Sequence, residues 1–118
     1  MVYSERLATR VRRMLAERDG ADEIKMFGGI CFTLRGHMCC GVVGEDLVLR
    51  VGPKAYEDTL RRPHARPMDF TGRPLRGMVY VGPEGCRTQP ALRAWVERAV
   101  GFVSSLPARR AKRKARAS

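Results

Sequence analysis

Long apolar runs are missing from this sequence. The longest, residues 38–43, falls far short of the roughly 20 residues that a membrane-spanning helix needs. Aromatic side chains are scarce, at 7% of the chain, and none is interleaved with arginines as a base-stacking platform requires. There are two histidines and four cysteines, and the cysteines show no C-x-x-C spacing. That excludes the usual structural zinc motifs and a thioredoxin-like redox motif. No G-x-G-x-x-G or G-K-[ST] loop is present, so the common phosphate-cradling turns are excluded as well. The start runs straight into charged residues with no apolar stretch of a secretory signal. The expectations are a cytoplasmic protein, no membrane association, and cysteines held as thiols.

Acidic residues are also in short supply. Asp and Glu number 12 against 23 Lys and Arg in 118 residues, a net charge of +11. Six of those eleven excess charges lie in residues 107–118: Arg109, Arg110, Lys112, Arg113, Lys114 and Arg116. Such a segment attracts polyanions without regard to sequence. The division expected is a domain over residues 1–106 and a disordered basic tail over 107–118. Apolar content of 44% suffices for one hydrophobic core in a chain of this length.

What is present patterns well. Ser4 is placed to cap a helix from Glu5 to about Arg18, with Leu7, Val11, Met14 and Leu15 on one stripe. Three strands follow in period-2 alternation, split at Arg35-Gly36 and Gly44-Glu45-Asp46, with a shorter strand over residues 23–27 before them. Counting both loops as regular pairs Phe32 with Cys39, Cys31 with Cys40, Val43 with Leu47 and Gly41 with Leu49. Ile30, Phe32, Leu34, Cys39, Val43, Leu47, Leu49 and Val51 then share one face. Gly52-Pro53 opens a second helix. Residues 62–77, with three prolines and two glycines, read as a long ordered loop. Residues 78–81 read as a strand. Thr88 caps a last helix with the apolar stripe Leu92, Trp95, Val96, Ala99, Val100, Val103 and Leu106. The fold expected is α+β and two-layered: an antiparallel sheet of four to five strands in the order α-β(3–4)-α-β-α.

Candidate chemistry is sparse. Arg50 and Lys54 flank the Gly52-Pro53 helix start, where free N–H groups favour an anion. Arg66 and Arg73 belong to a basic loop whose planar guanidinium groups suit phosphate. With the tail cations they form the expected anion- or nucleic-acid-binding set. Cys31 and Cys40, if directly paired, would have Cα atoms about 4.5–5.5 Å apart, within reach of a disulfide or a shared soft metal ion. That defines an alternative, a thiol-based redox or metal-responsive switch. A third reading is a small enzyme gathering Arg50, His64, Arg66 and Arg73 around an anionic substrate. No catalytic residue, cofactor or complete metal site is marked. Phe102 widens the apolar surface of the last helix beyond what one sheet face needs, which points to self-association as a homodimer.

Met26-Phe27-Gly28-Gly29, Met38-Cys39-Cys40-Gly41-Val42-Val43-Gly44, Arg50-Val51-Gly52-Pro53 and the run from Pro63-His64-Ala65-Arg66-Pro67-Met68-Asp69 to Phe70-Thr71-Gly72-Arg73-Pro74, in that order, resemble the N-terminal domain of the TfoX (Sxy) competence-regulator family. The resemblance covers residues 1–106. It implies a compact α+β fold similar to secretion chaperones. It also implies a non-enzymatic regulatory or interaction module with a protein partner, with no catalytic residues to carry over. Full-length members have a second, C-terminal domain. Here a basic segment occupies its place, with nucleic-acid attachment through it as the added expectation.

Overall fold

Ser4 begins the first helix by accepting a hydrogen bond from the Leu7 backbone N–H at 3.1 Å. The side-chain oxygen thereby satisfies one of the N–H groups a helix start leaves unpaired. In the computed structural model, which describes residues 3–26, 28–69 and 74–107, this helix is α1 (Glu5–Leu15). It ends earlier than the Asp19-Gly20 signal suggests. Then come β1 (Ala21–Met26), β2 (Gly29–Leu34), β3 (His37–Val43) and β4 (Asp46–Arg50). α2 (Gly52–Leu60), β5 (Ala65–Asp69), β6 (Pro74–Val81), a 3-10 turn at Pro83–Cys86 and α3 (Gln89–Ser104) complete the chain. Among the described residues, no helix is long and apolar enough to cross a membrane.

The fold class is as expected, α+β, but the sheet has six strands, ordered β1-β2-β3-β4-β6-β5 and antiparallel throughout. The additional strand is β5, in the segment read as a loop. Pro67 lacks an N–H, so it disguised the strand; at a sheet edge that missing donor is tolerated. Residues 74–77, also read as loop, extend β6.

The register departs from the regular count in two places. A β-bulge between Phe32 and Thr33 pairs Phe32 with Cys40 and Cys31 with Gly41. The second hairpin pairs Val43 with Asp46 and Val42 with Leu47, so its loop is one residue shorter than expected. Cys40 and Val42 therefore face the core, whereas Val43 turns to the other face and is half-buried. The central expectation holds: Phe32 and Leu49 lie on one side, each paired with Cys40.

All three helices cover that side. Leu7, Val11 and Leu15 of α1, Tyr56 of α2, and Leu92, Val96, Ala99 and Val103 of α3 join Phe32, Leu49, Val79 and Val81 in one buried cluster. The other face presents the cross-strand row Ile24, Cys31, Gly41, Val48, Tyr80 and Arg66. Arg12 ties α1 to β1 by a two-pronged bond to Glu23, at 2.7 and 2.8 Å.

Where α2 leaves the sheet, the packing is unusually close. Gly52 has φ of +84° and lies under Phe102; a Cβ there would sit 2.4 Å from Phe102 Cδ1 and Cε1. Only glycine adopts that backbone without strain and leaves that space. Phe102 is thus spent inside the fold, packed on the core with Arg50 stacked over its ring at 5.5 Å.

Candidate functional site

Of the arginines expected to gather, Arg50 and Arg66 do not. Arg50 donates to the Met38 carbonyl oxygen at 3.3 Å and covers Phe102. Lys54 is exposed on α2. Arg66, on the edge strand β5, pairs with Asp46 at 2.7 Å and lies over the Tyr80 ring at 4.7 Å. Arg50 and Arg66, two members of the small-enzyme set, are separated by β6 and engaged in different contacts. Arg73 and the tail cations Arg109, Arg110, Lys112, Arg113, Lys114 and Arg116 lie outside the described residues.

The thiols are rearranged by the bulge. Cys31 pairs with Gly41 and belongs to the helix-free face, while Cys40 faces the helices. The expected direct pairing of Cys31 with Cys40 is thus replaced, and the register puts the two on opposite faces of the sheet. The bulge has a second effect. Adjacent strand residues ordinarily point to opposite faces, yet Cys39 and Cys40 both join the core cluster. The neighbouring Cys39 thiol, followed by full burial, holds Cys40 well above the ordinary thiol range. Burial pushes Cys31 up to about 11, with the neighbouring Cys39 adding to the shift. All four cysteines are free and buried.

The structure instead assembles cations at one end of the helix layer. A cleft of about 490 Å³ opens between the start of α1 and the turn leading into α3, lined among others by Ser4, Arg6, Arg10, Glu45, Arg87 and Gln89. Arg10 is its keystone. Its Nε donates to Gln89 Oε1 at 2.9 Å, Nη1 to the Cys86 carbonyl at 2.8 Å and Nη2 to the Arg87 carbonyl at 3.4 Å. The planar guanidinium carries its donors on three separate nitrogens and so reaches three acceptors spread around it, whereas a lysine concentrates its donors on one nitrogen. Arg6 stands exposed at the mouth and makes no ion pair among the described residues. Arg87 pairs with Glu84 on the outer side.

The starts of α1 and α3 both border the cleft, and their positive ends add to the field of the arginines. Glu45 is the one acid in the lining. The arrangement is suited to holding an anionic group. Cys86 contributes to the lining, and burial pushes its thiol up to about 11 against a smaller opposing influence of Arg10. One faint local sign of the cleft exists. Arg6 and Arg10 stand four residues apart on α1, hence on one side of it, but the partners of Arg10 lie almost eighty residues later.

A family model described as TfoX N-terminal domain matches residues 13–103. No curated protein and no solved structure matches the chain.

Proposed function

The chain belongs to the TfoX N-terminal domain family, and from that premise we propose that it is a non-enzymatic regulatory module that acts by binding. Its globular part engages an acidic partner through the arginine-lined cleft. The cations of residues 107–118 add electrostatic attachment to nucleic acid. The observation that carries this reading is the cleft: Arg6, Arg10 and Arg87 converge with two helix starts against the single carboxylate of Glu45. Guanidinium groups beside helix N-termini favour carboxylate and phosphate partners. Regulation of the competence type is the finer form of this proposal, and it follows from the family.

Binding to labelled duplex DNA across a salt series tests the electrostatic part. Contact with about five phosphates gives a log–log slope of about −4 to −5. A chain ending at Leu106 is expected to lose most of that slope. The double variant Arg6→Gln, Arg87→Gln is expected to keep the slope but to weaken capture of an acidic protein partner. An unchanged slope in the shortened chain would remove the tail from the proposal. Unaltered partner capture by the double variant would remove the cleft.

A further inference from the structure

A second cleft, of about 470 Å³, lies on the other side of the Pro83–Cys86 turn, between α3 and the chain at Pro63 and His64. Its chemistry is different. Ala91, Ala94 and Trp95 supply an apolar wall, while Arg62, His64 and Arg98 supply hydrogen-bond donors. The Trp95 indole N–H is already spent on the Gly85 carbonyl at 3.0 Å. Trp95 is otherwise buried in the core, so what it presents to the cleft is a narrow edge of aromatic carbon beside Ala91 and Ala94.

The charges are unevenly matched. Asp58 serves two arginines, with Oδ2 at 3.3 Å from Arg98 and 3.8 Å from Arg62. Arg98 is anchored further by Thr59 Oγ1 at 3.1 Å. Arg62 has only the long contact, and half its side chain is exposed. Glu84 is the acid in the lining, and it is held by Arg87. One guanidinium is thus available for an incoming anion.

His64 is held in place deliberately by the local backbone. Its φ of +74° is a conformation that few side-chain-bearing residues adopt. Its carbonyl accepts the Gly82 N–H at 3.0 Å. Gly85 makes room for it, since a Cβ there would sit 2.8 Å from His64 Cβ. A sparsely populated backbone maintained by such contacts, beside a cleft, is where a ligand-holding role is to be sought.

We propose that this cleft binds a small organic anion: an apolar body against Ala91, Ala94 and the exposed edge of Trp95, with its carboxylate or phosphate between Arg62 and His64. The volume lies within the usual range for small-molecule sites, about 300–1,000 Å³.

Trp95 is the sole tryptophan, so its emission reads the site directly. The probes are benzoate, phenyl phosphate and benzyl alcohol, which share a ring and differ in the head group. Saturable changes are expected with the two anions, and the tighter of them identifies the preferred head. Benzyl alcohol and the Arg62→Gln variant with either anion are each expected to bind about tenfold more weakly, the usual effect of losing one charge-assisted contact. Arg62 is exposed, so this variant should keep the urea midpoint of the parent, and that midpoint is measured alongside. Equal affinity for benzyl alcohol, anion affinity unchanged in Arg62→Gln, or no saturable response to either anion would overturn the proposal.

Discussion

Placing one methyl group on Gly52 tests the closest packing in the molecule. In Gly52→Ala two costs add. Holding an alanine at φ of +84° costs about 1–2 kcal/mol, the usual penalty for a left-handed residue. The new Cβ would lie 2.4 Å from Phe102 Cδ1 and Cε1, well inside the ordinary carbon–carbon separation of about 3.5–4.0 Å. Forcing an extra carbon into such a site costs about 1–3 kcal/mol. Stiffening of the unfolded chain offsets about 0.4–1 kcal/mol. The net loss expected is about 2–4 kcal/mol, a large part of a total stability of about 5–15 kcal/mol. Urea unfolding followed by Trp95 emission and far-ultraviolet circular dichroism measures it. The two costs separate in a double-mutant cycle. Phe102→Ala removes the ring, so the steric part should vanish in the double variant and leave a coupling of about 1–3 kcal/mol. A loss below about 1 kcal/mol for Gly52→Ala, or strict additivity with Phe102→Ala, would refute the reasoning.

Other outcomes follow from the same contacts. Arg10→Lys is expected to cost about 1–3 kcal/mol in thermal unfolding, because an ammonium cannot replace a fork that holds three acceptors; a neutral result would refute the keystone role. The buried thiols set a direction with pH. Cys31 and Cys86 ionise near 11 when folded against an ordinary 9.0, so between these values the unfolded chain binds fewer protons and stability falls as pH rises. The thiol contribution is intact below pH 9, and the urea midpoint should decline from there toward 11. Cys31→Val should flatten that decline, and an unchanged slope would count against thiol burial as its cause. Thr88→Ala should cost about 1 kcal/mol in the urea midpoint, since its hydroxyl caps α3 by accepting the Ala91 N–H at 3.2 Å.

Much of the architecture is readable in the residues. Ser4 and Thr88 mark two helix starts by the same mechanism, Gly52-Pro53 marks the third, and the alternation around Phe32 and Leu49 marks the core face. The misses share one cause: each depends on partners distant in the chain. Nothing local distinguishes the bulge at Cys39, since Met38-Cys39-Cys40-Gly41 alternates acceptably in either register. Pro67 argues against a strand unless β5 is known to be an edge. Arg50 looks solvent-exposed until Phe102 arrives beneath it from α3. The same holds for the site. Arg10 reads as an ordinary polar-face arginine, and only the fold brings Cys86, Arg87 and Gln89 to its fork.

The irregularity at Cys39 works as a phase shifter. On its hairpin side, Leu34 and His37 point toward the helices and Met38 points away. Beyond it, Cys40 and Val42 point toward the helices again, an alignment that strict alternation could not deliver from the same residues. A chain shortened by that one residue can keep every pairing on both sides of it, Leu34 with His37 and Phe32 with Cys40, as a regular ladder. Deleting Cys39 should therefore leave the faces of β3 unchanged and cost only the contacts of one buried side chain.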